Sequence, residues 1–169
     1  MTELTEIGDR VALVDARLKP IAERPVDTSD PDWERRMRER RHPLDEAGVR
    51  TEAEDALRDL VRCYERGGEP ERAAVRALLS RHTAFRWAAQ LPFEATPEGF
   101  RLRLLQMSVA DHGHDTRDEL VTLHYLREEA REAGVELRPI LLEVAELSSA
   151  EDRFGMGSMR DILRNAAGR

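Results

Sequence analysis

The sequence contains one cysteine, Cys63, one lysine, Lys19, and eight aromatic residues in 169 positions. A lone cysteine excludes an internal disulfide, and with it the class of small secreted domains stapled by several bridges. Scarce aromatics, beside apolar residues that are mostly Leu, Val and Ala, leave little material for a β-sandwich and point to packed helices. No apolar run approaches the ~20 residues of a membrane helix. The start, MTELTEIGDR, is acidic and periodic, unlike a signal peptide. A cytoplasmic protein with no membrane partner is therefore expected. The formal net charge of −7 lacks the basic footprint of a nucleic-acid binder, so a nucleic-acid partner is not expected. Apart from Lys19, the cationic side chains are 26 arginines interleaved with Glu and Asp. Arginine makes planar bidentate pairs with carboxylates, so much of this charge should be neutralised inside the molecule.

What is present is helical periodicity. Leu4, Ile7, Val11, Val14 and Leu18 form a narrow apolar stripe, with Thr2 placed as N-cap and Lys19-Pro20 at the end. Such a stripe must dock on the rest of the bundle or on a second copy, which predicts a monomer or a homodimer through this helix. The stretch KPIAERPVDTSDPD, with three prolines, reads as a linker. Asp30-Pro31 then opens the short helix DWERRMRERRHP. Thr51 and Glu54 have the spacing of a capping box. The helix behind them turns Ala53, Leu57, Leu60, Val61 and Tyr64 inward, and Gly67-Gly68 should end it in a left-handed turn.

The stretch from Pro70 to Gln90 should be the centre of the fold. At about 100° per residue, Val75, Leu78, Leu79, His82, Phe85 and Ala89 share one face. Ala73, Ala77, Ser80, Ala84 and Ala88 lie nearly opposite, with Trp87 at the edge. A helix apolar on two sides belongs in the middle of a bundle. Phe100, Leu102 and Leu104 alternate with arginines as in a strand, but the cap at Thr96-Pro97 and the continuation through Leu105, Met107 and Val109 predict a further helix. Another is expected over about 116–133, with Leu120, Leu123, Leu126, Ala130 and Ala133 inward and Gly134 at its end. Pro139 should begin one with Ile140, Leu141, Val144 and Leu147 on one face. Ser158 and Asp161 should cap the last, with Ile162 and Leu163 inside. Segments 51–90 and 116–148 share a plan, a helix ending in Gly before one opened by Pro. This pairing resembles that of HEAT-type α-solenoids, a likeness that implies stacked units in part of the chain. The expected fold is all-α: a compact bundle of about seven helices built from antiparallel hairpins. It forms a single domain over 1–169, divided into the N-terminal helix at 1–19, the proline-rich linker at 20–30 and the helical core at 31–169.

Chemistry-bearing residues cluster in two places. Trp33, Arg35, Arg36, Met37, Arg38, Arg40 and Arg41 make the basic segment, and Trp and Arg are the residues that dominate binding hot spots. Asp111, His112, His114 and Asp115 lie within five positions, a set of N and O donors suited to a divalent metal, to which His82 can add another. His82, His114-Asp115 and Asp161 follow the order found in helical HD phosphohydrolases. The dyad here opens a helix and is followed by Thr-Arg-Asp, so that family's pattern is not met. On its own, His82 reads as a core histidine bonded to a backbone or carboxylate partner. Gly155-Met156-Gly157-Ser158 lacks the lysine and the preceding strand of a phosphate loop. The function expected is that of a non-catalytic protein–protein interaction module, an adaptor, scaffold or immunity-type inhibitor. It needs no cofactor, takes another protein as partner, and binds through the 33–41 segment. The alternative is a metal-dependent hydrolase with His114 and Asp115 as its catalytic pair.

Overall fold

The computed structural model describes residues 2–111, 117–152, 155 and 157–168. All the regular elements among them are helices: α1 (Thr2–Ala22), α2 (Trp33–Glu39), α3 (Pro43–Glu46), α4 (Arg50–Arg66) and α5 (Glu69–Arg81), then α6 (Thr83–Ala88), α7 (Pro97–Val109), α8 (Arg117–Glu132), α9 (Leu137–Leu147) and α10 (Met159–Ala167). The all-α expectation holds, with more helices than the sequence pattern resolves. The excess comes mainly from α3, a single turn, and from a division of the 70–90 stretch into α5 and α6.

The N-terminal stripe is fully used within the chain. Ile7, Val11, Val14 and Leu18 are at most 2% exposed and join one core cluster with side chains of α4, α5, α7, α9 and α10. The face that a second copy would have taken is therefore occupied by the chain's own core. The helix also runs further than expected, through Pro20 to Ala22. Proline in the last turn gives up only one backbone donor on a face open to solvent.

The 70–90 stretch departs most from expectation. His82 has a non-helical backbone (φ −112°, ψ 69°) and separates α5 from α6. A break here leaves the first amide donors of α6 without partners inside the helix. Asp15, 70 residues earlier on α1, supplies the missing acceptor: its Oδ1 takes the Phe85 N–H at 2.8 Å, and its Oδ2 lies 3.5 Å from Nδ1 of His82. A carboxylate therefore stands beside His82 from another helix, but the pair makes no hydrogen bond and the ring is half-buried rather than in the core. The break also undoes the alanine face. Ala73, Ala77 and Ser80 of α5 are exposed, whereas Ala84, Phe85 and Ala88 of α6 are buried.

Several local expectations are corrected. The Thr51–Glu54 capping box does not form, because α4 begins at Arg50 behind buried Val49. Arg50 is drawn back onto α3 by a fork to Asp45 at 2.6 and 2.8 Å. Gly67 and Gly68 are extended rather than left-handed (φ −76° and −78°). Gly67 is required by close approach instead, since a Cβ there would stand 2.6 Å from Cβ of Glu71 and 2.8 Å from the Cys63 carbonyl. Leu120 of α8 and Ala133 just beyond its end are exposed, while Leu123, Leu126 and Ala130 are buried. Helix α8 packs lightly against α7, and α9 lies mainly against α10 and α7 rather than against α8. The HEAT-like pairing of 116–148 is not confirmed by this packing. The caps at Thr96 and Ser158 form as expected, the latter a complete capping box with Asp161.

Two stability predictions follow from the break. Ala84→Leu should lower stability by about 1–3 kcal/mol through overpacking, while Ala77→Leu on the exposed side of α5 should change it by less than about 0.5 kcal/mol. Equal losses in denaturant titrations would mean that α5 and α6 form one buried helix. Asp15→Ala removes a cap bond as well as a tertiary link and should lose about 1–2 kcal/mol. An unchanged unfolding midpoint would show that α6 needs no acceptor from α1.

Candidate functional site

The basic segment forms α2 and its C-terminal extension, and the helix carries no buried residue. Trp33 is half-buried and Met37 is 38% exposed. Four positions apart, they share one face of the helix. Arg35 returns to Asp32 at 2.9 Å and Arg36 to Asp30 at 3.1 Å. Arg38 on the helix and Arg40 and Arg41 beyond it are exposed, with no ion pair to any described residue. The segment thus keeps its candidate residues together on one short arm and leaves its second half charged and open.

Of the residues considered for a metal, His112, His114 and Asp115 lie outside the described residues. Asp111 donates its N–H to the Ser108 carbonyl at 3.4 Å. His82 sits at the α5–α6 joint beside Asp15. Among the described residues no group of three or more His, Cys, Asp or Glu side chains is placed to hold a metal ion. Gly157, whose N–H would have to face an anion, donates it to Asp152 at 3.0 Å. Cys63 is half-buried, and burial, with the charges of Glu3 and Asp59 adding, pushes its thiol pKa above the ordinary value. It is therefore a poor nucleophile at neutral pH.

The structure adds a site that the sequence reading did not single out. A two-lobed groove runs between α7, α8, the segment after α6 and the start of α3. One lobe, about 550 Å³, is lined by Arg50, Glu54, Phe93, Tyr125, Leu126 and Glu129. The other, about 250 Å³, lies over Leu57, Leu79 and Phe85 and is bordered by Arg86, Trp87 and Met107. His42, Gln90, Arg103 and Thr122 line both. His42 follows Arg41 directly, so the basic arm ends at the groove. Its ring caps α3, with Nδ1 accepting the Leu44 N–H at 3.2 Å. Gln106 on α7 holds the segment beyond α6 in place by accepting the Leu91 N–H at 3.0 Å.

The charge in this groove differs from that elsewhere in the molecule. Among the described side chains, seven other arginines are half-buried: Arg50, Arg58, Arg72, Arg76, Arg101, Arg127 and Arg160. Each reaches a carboxylate or a backbone carbonyl. Arg101 is the fullest case: it bonds Glu65 on α4 and Glu143 on α9, the latter at 2.7 Å, with Glu98 at 3.8 Å. Burial presses its pKa down, but those carboxylates outweigh burial and leave it raised. Arg103, two residues on, points to the other side of α7. Burial holds its pKa below the ordinary value against the opposing charge of Glu129. The Gln90 side-chain amide lies against its guanidinium, and turning that amide over would bring its neutral oxygen to face the arginine. Arg86 has no partner among the described residues, and burial alone lowers its pKa. A guanidinium that is partly desolvated without a counter-charge is destabilising in the free protein.

The sequence holds a trace of this. RLRLLQ places arginines on both sides of a helix that lacks a clean apolar stripe, so some must be half-buried. Which of them lack an acid is settled only in three dimensions. No family model, curated protein or solved structure matches the chain, so the site rests on its own geometry.

Opposite mutational effects are expected from the two kinds of arginine. Arg86→Met should leave stability unchanged or raise it by up to about 1 kcal/mol, because it removes an uncompensated charge. Arg101→Met should lower it by about 1–2 kcal/mol by unlinking α4, α7 and α9. Calorimetry that found Arg86→Met the more damaging of the two would contradict this account of the groove.

Proposed function

We propose that the chain is a non-catalytic protein–protein interaction module that works in the cytoplasm as an adaptor, scaffold or inhibitor, and that α2 with Arg40 and Arg41 takes hold of an acidic surface on its partner. The observation that carries this reading is the state of the arm: a helix with no buried residue, followed by open arginines, in a protein whose net charge is −7. Such a segment contributes little to the fold, since exposed charges are worth under about 1 kcal/mol each. An acidic partner would meet Arg38, Arg40 and Arg41 as free bidentate donors and Trp33 with Met37 as a small apolar anchor. Trp33 remains half-buried, a position that fits an anchor between the arm and either the bundle or the partner.

The test is to reverse the three open arginines together, Arg38→Glu, Arg40→Glu and Arg41→Glu. The melting temperature should stay within about 2 °C of the parent, and the native partner that co-purifies with the parent should be lost. Binding by the parent should also weaken between about 0.05 and 0.5 M salt, as expected of exposed charge pairs. A variant that keeps its partner, or unfolds readily, would make the arm part of the fold and move the binding surface elsewhere. The competing hydrolase reading, with His114 and Asp115 at a metal, gains first place if metal analysis of the purified protein finds one equivalent that His114→Ala removes.

A further inference from the structure

From the groove between α7, α8 and the segment after α6 we infer a second binding site, one that takes an acidic peptide segment with an apolar side chain between its carboxylates. This site stands on residues other than α2 and does not depend on that helix being used.

Two independent features point to the same occupant. The first is charge. Arg86 and Arg103 both line the smaller lobe, both are half-buried, and neither has a carboxylate within ion-pair distance among the described residues. The other half-buried arginines are anchored to carboxylates or backbone carbonyls. Carboxylates from a ligand would give these two guanidiniums the partners that the fold withholds, and a partly desolvated pair is stronger than one in open water.

The second feature is apolar. Trp87 (61% exposed), Phe93 (38%) and Tyr125 (62%) are the exposed aromatic side chains among the described residues, and all three line the groove. Trp87 borders the smaller lobe, whose floor is Leu57, Leu79 and Phe85, and Phe93 and Tyr125 border the larger. Exposed aromatics gathered around a cleft with arginines inside it form the composition of a binding hot spot.

The same lining argues against a polyphosphate ligand. Glu54 and Glu129 stand in the larger lobe, where they would repel a close-spaced run of phosphates but can accept hydrogen bonds from peptide amides. A peptide separates its carboxylates along the chain and can place one at each arginine while keeping an apolar side chain for the floor.

The test is selection of phage-displayed random peptides on the full-length chain. Enriched peptides should carry Asp or Glu on both sides of a large apolar residue. Their affinity should fall by at least about tenfold in the double variant Arg86→Gln/Arg103→Gln. The double variant Arg81→Gln/Arg138→Gln, which removes the same charge from exposed sites, should bind as the parent does. Circular dichroism must show both variants folded. If the groove pair together unfolds the chain, Arg86→Gln and Arg103→Gln are read singly. The inference is overturned if no peptide is enriched, if the enriched peptides lack acids, or if acidic peptides bind the groove variant as tightly as the parent. Loss with the α2 reversal but not with the groove pair would also overturn it and place peptide capture on the arm. Displacement of the selected peptides by a single-stranded RNA oligonucleotide at comparable concentration would assign the groove to nucleic acid instead.

Discussion

The carboxylate of Asp15 fixes how the chain divides around its middle. It lies on α1 at a half-buried position, with 16% of its side chain exposed, and reaches the break at His82 between α5 and α6. A six-residue helix has no stability of its own in water, so α6 exists because its first amides are satisfied and its inward side chains are packed. Asp15 contributes the first condition and α1 much of the second. Because the cap comes from another helix, it also sets the direction of α6. The aliphatic side of α5 continues into Phe85 and then into the core, and the next two residues, Arg86 and Trp87, arrive at the groove.

A second constraint runs through the arginines. In an acidic protein with few large aromatics, cross-links between helices come from guanidiniums that span two or three elements. Arg101 ties α7 to α4 and α9, Arg127 reaches from α8 to the Ala166 carbonyl in α10, and Arg160 closes the loop before α10 through the Ser148 carbonyl. The buried hydroxyl pair of Ser108 and Ser148, 2.6 Å apart, adds a polar tie between α7 and the end of α9. Each such bond satisfies a desolvated group and fixes a distance between helices. Against this background an unpartnered half-buried arginine is an exception that the fold must tolerate, as hydrophobic burial elsewhere allows.

The sequence makes the long-range outline legible wherever a helix has a single apolar face. The stripe of α1, the inward set Ala53, Leu57, Leu60, Val61 and Tyr64 on α4, and the caps at Thr96 and Ser158 are all found as read. These depend on periodicity and on residues within one turn. What fails is whatever a distant residue decides. The break at His82 depends on Asp15, and the outward turn of Leu120 on how lightly α8 packs against α7. Trp33 and its arginines are legible as a basic arm because they are contiguous. Arg86 and Arg103 are not, because two arginines among 26 differ from the rest only in what does not surround them.

The break and the groove share one origin. Had α5 run on as a single helix to Gln90, the segment leading to Leu91 would have left in another direction, and the cleft beside α7 would lack one wall. Instead Ala89 is already extended (φ −74°, ψ 127°), Leu91 is buried at 5% exposure, and its amide is held by Gln106. The same turn of chain that completes the core therefore presents Trp87 and Phe93 to solvent on either side of Gln90, beside Arg103. Residues of the core fix the rim, so its aromatics and arginines are held on a rigid support. A rigid rim loses little freedom when a ligand is bound, which is the condition under which a shallow groove with few polar contacts can still bind selectively.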